Sequence, residues 1–147
     1  MRNVKRITIP AVLLALAGSL FAGGFFVQLG NPEASPEARK LNAVATVIST
    51  GCVEPGATKI SATAIGTVNG ERREISLKLE PLSTPGMYAL TQQWPKQGRW
   101  VIRFEATNGT RFASTLATAG PDGVDRDHGK SGNAQFAMAD IEAMLRQ

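Results

Sequence analysis

Residues 99–118 read RWVIRFEATNGTRFASTLAT, and the rhythm of this stretch decides the fold. Trp100, Ile102 and Phe104 fall on alternate positions, with Val101, Arg103 and Glu105 between them. A period of two puts one set on each face of a β-strand, the aromatic set toward a core and the charged set toward water. Asn108-Gly109 follows, a pair that tolerates the positive φ of a tight hairpin, and Thr110–Thr118 returns as the partner strand. A Trp and a Phe in one stripe bury on the order of 150–250 Å² each, which makes Trp100 the expected centre of the core.

The same signals recur upstream. Ala43–Ser49 (AVATVIS) is apolar and β-branched, and Thr58–Val68 alternates Ile60, Ala62 and Ala64 with Lys59, Ser61 and Thr63. Asn69-Gly70 is a second hairpin signal, after which Arg72–Leu79 sets Ile75, Leu77 and Leu79 against Glu74, Ser76 and Lys78. Pro81, Pro85 and Gly86 break the chain before Met87–Gln92, where Tyr88 and Leu90 share a side, and Pro95–Gly98 is a turn. Six short strands with a turn signal about every ten residues, and no helix between them, predict an all-β fold: a small antiparallel Ig-like β-sandwich over residues 42–118. Beyond it, residues 119–133 (AGPDGVDRDHGKSGN) read as a flexible loop. Residues 134–147 carry Phe136, Ile141, Met144 and Leu145 near helical spacing, a short C-terminal helix for the sandwich or a membrane surface.

At the other end, Arg2, Lys5 and Arg6 precede an uncharged run from Ile7 to Leu29 (ITIPAVLLALAGSLFAGGFFVQL). Residues 1–29 therefore read as a signal peptide or a membrane anchor, with the positive end cytoplasmic and the remainder outside. Ala22 and Gly24 offer small residues for cleavage, but the run is long enough to span a bilayer, and cutting there leaves Phe25-Phe26-Val27 at the new N-terminus, which favours an uncleaved anchor. Residues 30–41, with NPEASPEARK inside them, read as a linker.

Charge removes some classes of function. The chain has 16 basic and 12 acidic residues, but three of the basic ones are the leader's, which leaves 13 against 12. Arg72, Arg73, Lys78, Arg99 and Arg103 are interleaved with Glu71, Glu74, Glu80 and Glu105, so no basic stripe marks a nucleic-acid site. Cys52 is the single cysteine, so the domain has no internal disulfide.

Pro85–Phe104 (PGMYALTQQWPKQGRWVIRF), with Gly86, Tyr88, Gly98 and Trp100, resembles the YtkA-like and FixH-like bacterial envelope proteins. Those are small Ig-like sandwiches behind one N-terminal membrane span, with relatives implicated in copper handling and cytochrome oxidase assembly. The resemblance implies the same architecture here; its matching positions form the fold, and none is a metal ligand.

The residues with chemical character form no recognised constellation. His128, Cys52, Met87, Met138 and Met144 are the soft or imidazole ligands, and no two have metal-site spacing. Counted from Asp125, an EF-hand loop would need Gly and Glu where Lys130 and Phe136 stand. Gly123 to Gly129-Lys130-Ser131 has five residues between its glycines where a P-loop has four. There is no G-x-S-x-G elbow, and Cys52 has neither a C-x-x-C partner nor an adjoining cation to activate it. The expectation is a non-enzymatic module without metal or cofactor, tethered to the membrane by its N-terminal anchor, binding an unknown envelope protein and no nucleic acid. A copper-handling accessory protein is the alternative.

Overall fold

A computed structural model describes residues 24–51 and 54–147. In chain order the strands are β1 (Phe26–Gly30), β2 (Ala45–Thr50), β3 (Lys59–Val68), β4 (Glu71–Leu77) and β5 (Leu79–Pro81). Then come β6 (Met87–Leu90), β7 (Arg99–Asn108), β8 (Arg111–Gly120), β9 (Gly123–Val124) and β10 (Lys130–Gly132). The helices are α1 (Pro36–Lys40) and α2 (Met138–Leu145). All strand pairings are antiparallel and form two sheets: β1-β2-β6-β5, and β10-β8-β7-β3-β4 with β9 beside β8.

Turn chemistry sets the register. Val68 pairs with Glu71 across Asn69-Gly70, whose φ angles of 51° and 81° are those of a type I′ turn. The second hairpin turns one residue later than Asn108-Gly109 predicts. Asn108 pairs with Arg111, so Gly109-Thr110 makes the turn, and of the two only Gly109 has positive φ, 59°, as a type II′ turn requires. Asn108 is thereby free to donate from Nδ2 to Glu54 O at 3.2 Å and Thr58 Oγ1 at 3.0 Å, tying the hairpin to the loop before β3.

The core lies between the sheets. Trp100, Ile102 and Phe104 are 1%, 0% and 0% exposed and pack with Ala62, Ala64, Leu77, Val47 and Leu90. Buried indole N–H groups need acceptors, and both have them: Trp100 Nε1 donates to Gln97 O at 3.0 Å and Trp94 Nε1 to Gly120 O at 3.1 Å. Val101, expected to face water, is fully buried, because α2 lies on the outer side of the larger sheet and forms a second core of Ile65, Val101, Leu116, Ile141 and Met144. The C-terminal helix thus docks on the sandwich.

Four boundaries differ from the sequence reading. The uncharged run does not stay outside the domain as far as Leu29: Phe25 and Val27 are core residues and Phe26–Gly30 is a strand, because β2 would otherwise be an edge with one face on the core. The expected helix of residues 134–147 is shorter, Met138–Leu145; Asp140 Oδ2 accepts from Ala137 N–H at 3.2 Å and fixes its start. The linker is ordered, with a 3-10 turn at Pro32–Ala34 capped by Asn31 and α1 capped by Ser35. The 119–133 loop contains the end of β8 together with β9 and β10. Residues 1–23, most of the segment expected as a signal peptide or anchor, and Cys52 lie outside the described residues.

Candidate functional site

Two surfaces carry what chemistry the domain presents. The first is an open groove of about 750 Å³ at one end of the sandwich, between Arg99, Thr118, Asp122, Asp125, His128 and the end of α2. Its wall is the β8–β10 connection. Asp125 Oδ1 accepts the backbone N–H of Asp127 at 3.1 Å and of His128 at 3.2 Å, an Asx turn that folds the loop back on itself. His128 Nδ1 then sits 3.0 Å from Asp125 Oδ2. The slight burial of Asp125 pushes its carboxyl up, but the hydrogen bonds from Asp127 N–H and His128, with the imidazole's charge, outweigh this and hold it below the ordinary carboxylate range.

Sequence reasoning left His128 without a partner on a loose loop; the structure gives it Asp125. The signal was present in the Asp-x-Asp-His spacing, since an aspartate that accepts from the amides two and three residues on presents its carboxylate to position i+3. The pair is the geometry of an imidazole oriented by a carboxylate. Its surroundings do not make it a catalytic base: the His128 side chain is 83% exposed, in water rather than a low-dielectric pocket. Thr118 supplies the groove's hydroxyl, with no base within hydrogen-bonding distance of it among the described residues.

The metal candidates are dispersed. Met87 is in β6 of the smaller sheet, whereas Met138 and Met144 are on α2 against the outer side of the larger one, Met144 buried and Met138 exposed. Asp122, Asp125 and Asp127 do not converge with His128 on one point; among the described residues no three His, Cys, Asp or Glu side chains gather.

The second surface is the outer face of the smaller sheet. Core residues Val27, Val47, Tyr88 and Leu90 point inward, so Phe26, Gln28, Ile48, Thr50 and Met87 point out. Gln28, Ile48 and Met87 form one cross-strand row, and Phe26 and Thr50 the next. Phe26 is 42% exposed. The four strands contribute a single charged residue, Glu80, which lies on this face in the row of Thr46 and Ala89 and pairs with Lys78 at 2.7 Å. The contrast with the larger sheet is marked. There Arg103 lies 3.7 Å from Glu105 and 3.9 Å from Glu74, Lys130 faces Asp140, and Arg72 pairs with Glu142 of α2. α1 stands beside one end of this face, across a pocket from Thr46 and Met87, and Glu37 Oε2 ties it to the β5–β6 loop by accepting the Ser83 backbone N–H at 3.0 Å. That bond pulls the Glu37 carboxyl below its ordinary value.

No protein-family model matches the chain, and no curated protein or solved structure matches it. Among the described residues, no helix is long and apolar enough to cross a membrane.

Proposed function

We propose that this protein is a non-enzymatic, exported Ig-like β-sandwich that binds another protein of the cell envelope through the outer face of its smaller sheet. The observation that carries the reading is the chemistry of two neighbouring cross-strand rows, Gln28, Ile48 and Met87 and then Phe26 and Thr50, which hold no charged residue, while the charges lie around them: Glu80 in the row beyond, Arg126 and Asp127 beside Phe26. Interface cores are depleted of charge and enriched in aromatics and Met, whereas solvated sheet faces carry Lys and Glu. The charged N-terminal segment before an uncharged run supports export, and the likeness of Gly86, Tyr88, Gly98 and Trp100 to the YtkA-like and FixH-like pattern supports an envelope setting. Against catalysis stands the exposure of the Asp125–His128 pair, which among the described residues has no activated nucleophile beside it.

The test is cross-linking followed by capture from membranes, with the wild-type chain and with Gln28→Lys/Thr50→Lys. Both positions lie on the outer face, so the double variant should keep a near-wild-type urea midpoint and lose the captured partner. Undiminished capture by the folded variant would rule this face out.

A further inference from the structure

The uncharged run that begins at Ile7 enters the fold before it ends. Phe25 and Val27 are 4% and 3% exposed, and Phe26–Gly30 pairs residue for residue with Thr46–Thr50. Phe25 O accepts from Asn133 Nδ2 at 2.9 Å, and Val27 O from Thr115 Oγ1 at 2.9 Å. Gly24 is itself packed, since a Cβ on Gly51 would stand 2.5 Å from its carbonyl oxygen. Gly24 and Phe25 therefore already belong to the fold, so the stretch of the uncharged run left for a membrane ends before them.

We propose that a signal peptidase cuts the chain between Gly24 and Phe25, so that the mature protein begins at Phe25 and leaves the membrane. This rests on the export reading above and replaces the tether with release. Ala22 and Gly24 put small side chains third and first before the bond, the A-x-A-like spacing such enzymes read. An apolar new terminus is no obstacle, because Phe25 and Val27 are buried in the core while Phe26 lies on the outer face of the smaller sheet. An uncut chain, by contrast, would have a span of about 17 residues, the lower limit for crossing a bilayer, and that stretch contains Pro10 and Gly18. It would also have no spacer. The first charge after Arg6 is Glu33, already beyond β1, so the edge of the sheet would be drawn into the head groups.

In the reaction water attacks the Gly24 carbonyl carbon and the C–N bond breaks. Gly24 leaves as the carboxylate of the released peptide, and the Phe25 nitrogen takes up a proton as the new α-ammonium.

The experiment expresses the full chain with a C-terminal tag in a bacterium with a periplasm, then fractionates the cells and measures intact mass and N-terminal sequence. The expected product is a periplasmic, detergent-free chain beginning Phe-Phe-Val. Ala22→Phe, which keeps the run apolar but puts a ring at the third position, should accumulate the uncut chain in the membrane with its tag outside. Wild-type chain recovered uncut in the membrane with an external tag, or cut at another bond such as that after Ser19, overturns the proposal while leaving export intact. Uncut chain in the cytoplasm overturns export and the proposal together.

Discussion

Gly66 of β3 faces Trp100 of β7 across the larger sheet, and neither can change without the other. A Cβ on Gly66 would lie 2.4 Å from Trp100 Cε3 and 2.7 Å from Arg99 O, so the indole lies flat over a bare backbone. Trp100→Ala should cost about 3–5 kcal/mol, as large core aromatics do, and Gly66→Ala about 1–3 kcal/mol through overpacking. Urea midpoints check both; an unchanged midpoint for Trp100→Ala would place the ring outside the core. Asp125 is a second residue with a defined consequence. Its carboxyl lies below the ordinary range when folded, so the Asx turn is intact above pH of about 4 and loosens as the pH falls through that lowered value. An NMR titration should therefore place the Asp125 midpoint below that of aspartate in an unstructured peptide. The alanine double variant at Asp125 and His128, both groove residues, should still capture the same partner; loss of capture with folding preserved would move the binding site to the groove.

Among the elements, α2 is the one whose sequence left its docking surface open. Its apolar residues Ile141, Met144 and Leu145 could equally have met lipid, and the position that decides, Val101, reads on β7 as one more solvent-facing residue. Ile141→Ala should destabilise the sandwich by about 2–4 kcal/mol, measured by urea unfolding of the lipid-free protein. No change would detach the helix from the sheet. The strands were legible because β3, β4 and β7 alternate and their turns carry Asn or Gly with positive φ. β1 was not legible, since FVQLG continues an uncharged run and periodicity cannot separate a buried strand from the end of a leader. β9 and β10 were missed because two- and three-residue strands carry no period at all. Of the candidate sites, the Asp125–His128 pairing needed loop geometry. The outer face of the smaller sheet needed β1, because Phe26 and Gln28 complete its two rows without charge.

At the scale of the molecule, β1 closes the gap between the sheets. It pairs with β2 along its length and reaches β8 through the Thr115 hydroxyl. A chain begun at Asn31, after the whole uncharged run, would lose Phe25 and Val27 from the core and expose β2 as an unguarded edge. Such a chain should unfold at lower urea than one begun at Phe25, and aggregate at concentrations where the longer chain stays monomeric in gel filtration. Equal stability of the two would mean that β1 is dispensable.

The hydrogen bonds that secure β1 also impose an order of events. Its carbonyls at Val27 and Phe25 are met by residues 88 and 108 positions further along, Thr115 and Asn133. Whether from a ribosome or through a membrane pore, a chain emerging N-terminus first must present residues 115 and 133 before β1 gains these bonds. Loop closure on that scale is slow compared with local turns. Until then β1 has β2 alone as its partner, and its side toward β8 and β10 stays accessible to chaperone and peptidase alike.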